Sequence, residues 1–351
     1  MRHIVFACLA LLPAIPAASQ TPRSATSRPV KPWTPPRTVD GQPDLQGVWL
    51  NNSATPLERP KALEGKQFLT DEEVADLQKR AARLFDGSGT SDAAGGDAFF
   101  LALLANPERY RNPNATGGDN GFERVIENRT SLVVDPPDGR IPALTPEGQE
   151  RVARRPAPAG GGQRLPGGPE DLSNSLRCIT YGTPRLGTGA TNSAGALGYY
   201  QIVQAPGYVV LTLEAIHEAR VIPLDGRPHL PESIRQVGGD SRGRWDGSTL
   251  VVETTNFSPL SNFMGSAEQL HLVERFTRVS ADTIDYEITV SDPTTWTKPW
   301  TTLIHLRQRQ DLIYEYACHE GNDVVMKGML LGARAQEKAA GEAAQRQKQE
   351  Q

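Results

Sequence analysis

Apolar and polar residues alternate with period two over most of the second half of the chain. Such runs cover residues 199–204, 208–214, 216–223, 249–255, 270–279, 283–291, 301–309 and 313–319. That period places successive side chains on opposite faces of a strand. Turn chemistry separates the runs at Ala205-Pro206-Gly207, Asp225-Gly226, Asp246-Gly247-Ser248 and Ser280-Ala281-Asp282. Short strands punctuated in this way predict a mainly β fold, an antiparallel barrel or barrel-like sandwich. The first half reads differently. Leu45–Asn51 predicts one strand and Ser131–Asp135 another, the second closed by the turn Pro136-Pro137-Asp138-Gly139. Thr70, with Glu73 three residues on, forms a capping box, and Val74, Leu77, Ala81 and Leu84 then share a helix face. A second helix is predicted over Ala98–Ala105. A third runs from Thr145, an N-cap before Pro146, to Arg154. These helices are expected outside the barrel or over one mouth.

The N-terminus reads as an address. Arg2 and His3 precede an apolar run from Ile4 to Ile15, and Ala17-Ala18-Ser19 offers small residues at a cleavage site. That is the anatomy of a secretory signal peptide over residues 1–19, which implies an exported, periplasmic or extracellular protein. Residues 20–43 are expected to be a disordered leader, and 45–154 to hold the first strands and the peripheral helices. Residues 155–169 (RPAPAGGGQRLPGGP) compose a linker or surface loop, 170–323 the main barrel region, and 324–351 a helical tail that frays. No later apolar run reaches the ~18 residues that span a bilayer, so no integral membrane segment is expected. With 37 basic and 41 acidic residues the chain of 351 carries a formal charge of −4, which excludes a strongly basic nucleic-acid footprint. Of the 3 cysteines, Cys8 falls in the signal peptide; an oxidising compartment then favours a bridge between Cys178 and Cys318.

Alternation also assigns faces to the charged residues. Leu270, Leu272, Glu274 and Phe276 share one face, opposite His271, Val273, Arg275 and Thr277. Ile216, Glu218, Arg220 and Ile222 share another, opposite His217, Ala219 and Val221, and Tyr314, Tyr316, Cys318 and Glu320 a third. If the apolar faces point inward, Glu218, Arg220, Glu274 and Glu320 sit among apolar neighbours, where charges need partners. The alternative is a set of cross-strand pairs on a solvated face. His217, His271 and His319 lie beside carboxylates, a combination suited to proton transfer near neutral pH, whereas His229 is set in a loop by its flanking prolines. No histidine pair has metal-ligand spacing, so no metal site is expected. No Gly-x-Ser-x-Gly elbow, phosphate loop, dinucleotide fingerprint or CxxC pair occurs, so no cofactor is expected either. Arg242 and Arg244, in a predicted loop before Trp245, either bind an anionic group or solvate that loop.

Two functional classes remain open. One is a binding protein whose barrel holds a small, partly apolar molecule, with Trp49, Tyr199, Tyr200, Tyr314 and Tyr316 as wall candidates. The other is a cofactor-independent acid–base enzyme (a lyase, isomerase or hydrolase) using His217, Glu218, Arg220, His271, Glu274 and His319 in the same cavity. They are told apart by whether the charged residues converge in one pocket.

Long segments carry a resemblance. PDLQGVW at 43–49, RTSLVVDPPDGRIPALTPEGQ at 129–149, IHEARVIPLDGRPHLPESIRQ at 216–236, GDSRGRWDGSTLVVETTNF at 239–257, LHLVERFTRVSADTIDYEITVSDPTTWTKPWT at 270–301 and YEYACHEGN at 314–322 are the segments concerned. Together they make the chain similar to a large family of secreted, functionally uncharacterised bacterial proteins abundant in soil and environmental genomes. The resemblance implies export and carries no reaction. Members tend to have an aromatic- or asparagine-rich stretch before the tyrosine strand, where Gly187–Gly198 here is rich in glycine and alanine. Gly47-Val48-Trp49 is also similar to the Gly-x-Trp of lipocalins, whose tryptophan plugs the closed end of a ligand-holding barrel. That likeness implies a lipocalin-like barrel.

Overall fold

Every second side chain of the longer strands is buried, and that alternation curls one sheet around an apolar interior. The computed structural model describes residues 33–84, 90–91, 96–105, 111–112, 125–153, 166–186, 198–261 and 263–349. The strands are β1 (Gly47–Leu50), β2 (Thr90–Ser91), β3 (Arg111–Asn112), β4 (Val133–Asp135), β5 (Tyr199–Ala205), β6 (Tyr208–Leu213), β7 (Ala219–Pro223), β8 (Asp240–Asp246), β9 (Thr249–Thr255), β10 (His271–Arg278), β11 (Thr283–Ser291) and β12 (Trp300–Arg309). The helices are α1 (Asp71–Leu84), α2 (Gly96–Leu104), α3 (Pro146–Ala153) and α4 (Asn322–Gln349). Signal peptide, most of the leader, residues 154–165 of the linker and residues 187–197 lie outside the described residues.

Ten strands form one sheet in the order β7-β6-β5-β1-β12-β11-β10-β9-β8, with β4 pairing β12 beyond the end of β1. All pairings are antiparallel. The edge strands β7 and β8 meet without a hydrogen-bonded ladder. At that seam a Cβ on Gly243 would lie 2.6 Å from Leu224 Cδ2 and 2.8 Å from Ile222 Cγ2, so a glycine is what lets the edges close up. The product is a nearly closed barrel. Its interior is filled by side chains such as Trp49, Tyr200, Leu211, Phe276, Tyr286 and Ile304. A second cluster of Leu69, Leu77, Phe100, Leu103 and Ile126 packs α1 against α2.

Both helix starts seen in the sequence form as expected. The Thr70 N–H donates to Glu73 Oε2 at 2.8 Å and the Glu73 N–H to Thr70 Oγ1 at 3.3 Å. Thr145 Oγ1 accepts the Gly148 N–H at 3.0 Å. Gly148 then lets α3 lie directly on the loop after β11: a Cβ there would stand 2.5 Å from the Thr295 carbonyl oxygen.

Three expectations need correction. Residues 313–319 form no strand. Both edges of β12 are taken, by β11 on one side and by β1 and β4 on the other, so the segment crosses to Cys178 instead. β7 begins at Ala219 rather than Ile216, because Ile216 and His217 take φ of 60° and 54°, which no strand accommodates. Finally, β8 occupies what reads as a loop. Its arginines interrupt the apolar pattern, and an edge strand tolerates them: Arg242 pairs with Asp240 at 2.7 Å and Arg244 is exposed. α4 is a continuous helix to Gln349, exposed along most of its length.

Candidate functional site

The inward positions of β7, β10 and β11 carry a polar cluster inside the barrel. Arg220 reaches across the interior to Glu274, with Nη1 donating to Oε2 at 2.6 Å and Nη2 to Oε1 at 2.9 Å. Glu274 has no solvent exposure and the Arg220 side chain 13%. The Tyr286 hydroxyl donates to the same carboxylate, and its ring stacks on Phe276 at 4.4 Å. Burial pushes the Tyr286 phenol well above its ordinary range, and the Glu274 charge adds to that. For Arg220 burial acts to lower the pKa, but the charge and hydrogen bonds of Glu274 outweigh it and hold the guanidinium above its ordinary value. Both carboxylate oxygens, both Nη atoms of the guanidinium and the phenol are engaged within this trio. The gap beside it, lined by Thr183, Arg185, Leu213 and Tyr200 among others, is about 10 Å³, room for no more than one water.

A line of contacts leads outward from this cluster to the barrel mouth. The Tyr200 hydroxyl donates to the Arg185 carbonyl at 3.0 Å. The Arg185 guanidinium, only 3% exposed, lies over the Tyr181 ring at 5.1 Å, and the Tyr181 and Tyr316 hydroxyls are hydrogen-bonded at 2.8 Å. Burial, reinforced by that bond, pushes the Tyr181 phenol up to about 12, so it is a neutral hydroxyl at physiological pH. Glu218 fixes the segment over the barrel end by accepting from Thr180 Oγ1 at 2.6 Å and Thr183 Oγ1 at 3.1 Å.

Beyond the tyrosines a cavity of about 350 Å³ opens at the mouth, a volume that suits a small organic molecule. One wall is Ser175, Leu176 and Tyr181. The other is Tyr316, Ala317, Cys318, Glu320, Gly321, Asn322 and Val325. The Cys178–Cys318 disulfide, with Cα atoms 5.8 Å apart, joins the walls, and Asn322 Nδ2 donates to the Leu176 carbonyl at 2.7 Å. The bridge expected from the cysteine count is therefore present and frames this cavity.

The predicted site residues divide between these places. Arg220 and Glu274 converge, and Glu218 lies at the barrel end beside them. The histidines do not join them. His271 projects from the outer face, bonded to Glu253 at 2.7 Å with 39% of its side chain exposed. His217 is exposed in the turn before β7, and His319 and Glu320 are exposed before α4. Trp49 is fully buried, its Nε1 donating to the Leu45 carbonyl at 2.9 Å and Arg278 lying 5.2 Å over its ring. It packs in the barrel core and lines neither the inner gap nor the mouth cavity. Tyr199 is half-buried and Tyr200 buried at the inner gap, Tyr314 is 72% exposed, and Tyr316 lines the mouth cavity. Sequence reasoning missed Tyr181 and Arg185. The one signal for them was Cys178, whose expected bridge to Cys318 brings its neighbours against Tyr316. Among the described residues no group of histidine, cysteine and carboxylate side chains could hold a metal ion, and no helix is long and apolar enough to cross a membrane. Comparison with family models, curated proteins and solved structures finds no match for this chain.

Proposed function

We propose that this protein is exported and binds a small, partly apolar molecule at the mouth of a lipocalin-like barrel. One observation carries the reading: the cavity of about 350 Å³ walled by Tyr181, Tyr316, Leu176 and Val325 and framed by a disulfide. The lining is mixed, with Leu176, Ala317, Val325 and the tyrosine rings set beside Ser175, Glu320 and Asn322, and such placed polar groups are what orient a small, partly apolar molecule. The placement differs from a deep-barrel pocket, because Trp49 and its neighbours fill the interior. The Cys178–Cys318 bridge suits an oxidising compartment, in keeping with the signal peptide expected at residues 1–19. An acid–base enzyme in the barrel draws less support. Its carboxylate and guanidinium, Glu274 and Arg220, are spent on each other, and the candidate proton carriers stand outside.

The test is a filled cavity. Val325 is half-exposed on the first turn of α4, so Val325→Trp occupies the mouth without disturbing the barrel. Purified mature protein is incubated with plant, microbial and aromatic extracts, and retained compounds are read by native mass spectrometry. Compounds held by the wild type and lost by the variant support the proposal. Equal retention by both, or depletion of compounds by turnover instead of retention, overturns it.

A further inference from the structure

The cavity's charge goes beyond its shape. Among the side chains lining it, Glu320 is the sole ionic group; no lysine, arginine or histidine contributes to the wall. Glu320 makes no ion pair among the described residues, so its charge is available to a ligand. The rings of Tyr181 and Tyr316 line the same cavity, set edge-to-face with centroids 6.0 Å apart. Aromatic faces carry the negative end of the ring quadrupole and attract cations, most strongly where water is partly excluded. Arg185, the nearest buried cation, lies over the Tyr181 ring and lines the inner gap rather than this cavity, and Glu218 is held at its side by Thr180 and Thr183. Leu176 and Val325 supply the apolar part of the wall.

Resting on the binding function proposed above, we infer that the mouth cavity selects an organic cation, an ammonium or quaternary ammonium group on an apolar body. The head group lies between Glu320 and the two tyrosines, and the apolar body runs along Leu176 and Val325. A carboxylate ligand of the same shape meets Glu320 as a like charge and gains nothing from the rings.

Isothermal titration calorimetry on oxidised mature protein tests this with three probes of equal chain length: hexyltrimethylammonium, hexanol and hexanoate. The cation is expected to bind tightest and hexanoate weakest. Glu320→Gln is expected to weaken the cation about threefold to fivefold, the usual worth of one partly exposed charge pair, and to leave hexanol unchanged. Tyr316→Leu weakens the cation more than it weakens hexanol. Hexanol or hexanoate binding as tightly as the cation, or a cation affinity indifferent to Glu320→Gln, overturns the charge assignment while leaving the mouth as the binding site. No binding by any of the three, with the fold intact by circular dichroism, overturns both.

Discussion

Removing the Glu274 carboxylate should cost this barrel more than any surface change. Glu274 is fully buried and receives three hydrogen bonds, two from Arg220 and one from Tyr286. Glu274→Leu leaves the Arg220 guanidinium uncompensated in the interior and the Tyr286 hydroxyl without its acceptor. Breaking a buried pair from one side costs about 3–5 kcal/mol, and an orphaned hydroxyl about 1–3 kcal/mol, only partly additive to it. We expect a net loss of about 4 kcal/mol, nearly three decades in the folding equilibrium. The pair also has an architectural role. β7 is hydrogen-bonded to β6 alone, so Arg220 fastens this edge across the interior to β10 where the seam with β8 has no ladder. The reference is the triple variant Arg220→Met, Glu274→Leu, Tyr286→Phe, which removes the network whole and should lie within about 1 kcal/mol of wild type, because apolar replacements of buried pairs are often neutral. Guanidinium unfolding with the disulfide intact, followed by tryptophan fluorescence, reads both. With an m of about 5 kcal/mol/M the single variant moves the midpoint down by roughly 0.8 M. A single-variant loss under about 1 kcal/mol, or a triple variant as unstable as the sum of its singles, would refute the reasoning.

Two further outcomes follow from the same contacts. The Cys178–Cys318 bridge closes a separation of 140 residues, worth up to about 4–5 kcal/mol in the chain-entropy account; reduction should lower the melting temperature, and Cys178→Ser and Cys318→Ser should lower it equally, so unequal losses count against a purely bridging role. His305 on β12 hydrogen-bonds Asp285 at 2.7 Å, which raises its pKa above the ordinary 6.5 against the opposing effect of burial. A raised histidine contributes stability that is complete below the unfolded value and is lost as pH rises through the folded one. Melting temperature should therefore fall across that window in wild type and be flatter in His305→Gln; an unchanged slope would remove His305 as its source.

What the sequence made legible was whatever period two determines. Alternation put Glu274 with Leu272 and Phe276, and Arg220 with Ile222, on inward faces, and both are inside the barrel. The same rule separates His271 from Glu274, since residues three apart on a strand face opposite ways. The density of charge around the histidines drew attention to outward positions whose ion pairs belong to the solvated wall. That Arg220 would meet Glu274 required knowing that β7 and β8 close a barrel, a long-range fact carried by no local pattern. Residues 178–186 have neither helical nor strand periodicity, so Tyr181 and Arg185 left no trace beyond the cysteine beside them. The spacing of Tyr314 and Tyr316 fits one strand face, but with no free edge beside β12 the segment has no strand to join, and only Tyr316 lines the cavity.

The central claim is that the ligand sits at the mouth and not within the barrel. Amide chemical-shift mapping of isotope-labelled, oxidised protein titrated with a retained compound tests it residue by residue. The account predicts saturable shifts clustered on residues 175–181 and 316–325, the two walls joined by the disulfide, with Trp49, Phe276 and Ile304 unmoved. Shifts centred on those interior residues, with the mouth silent, would contradict it.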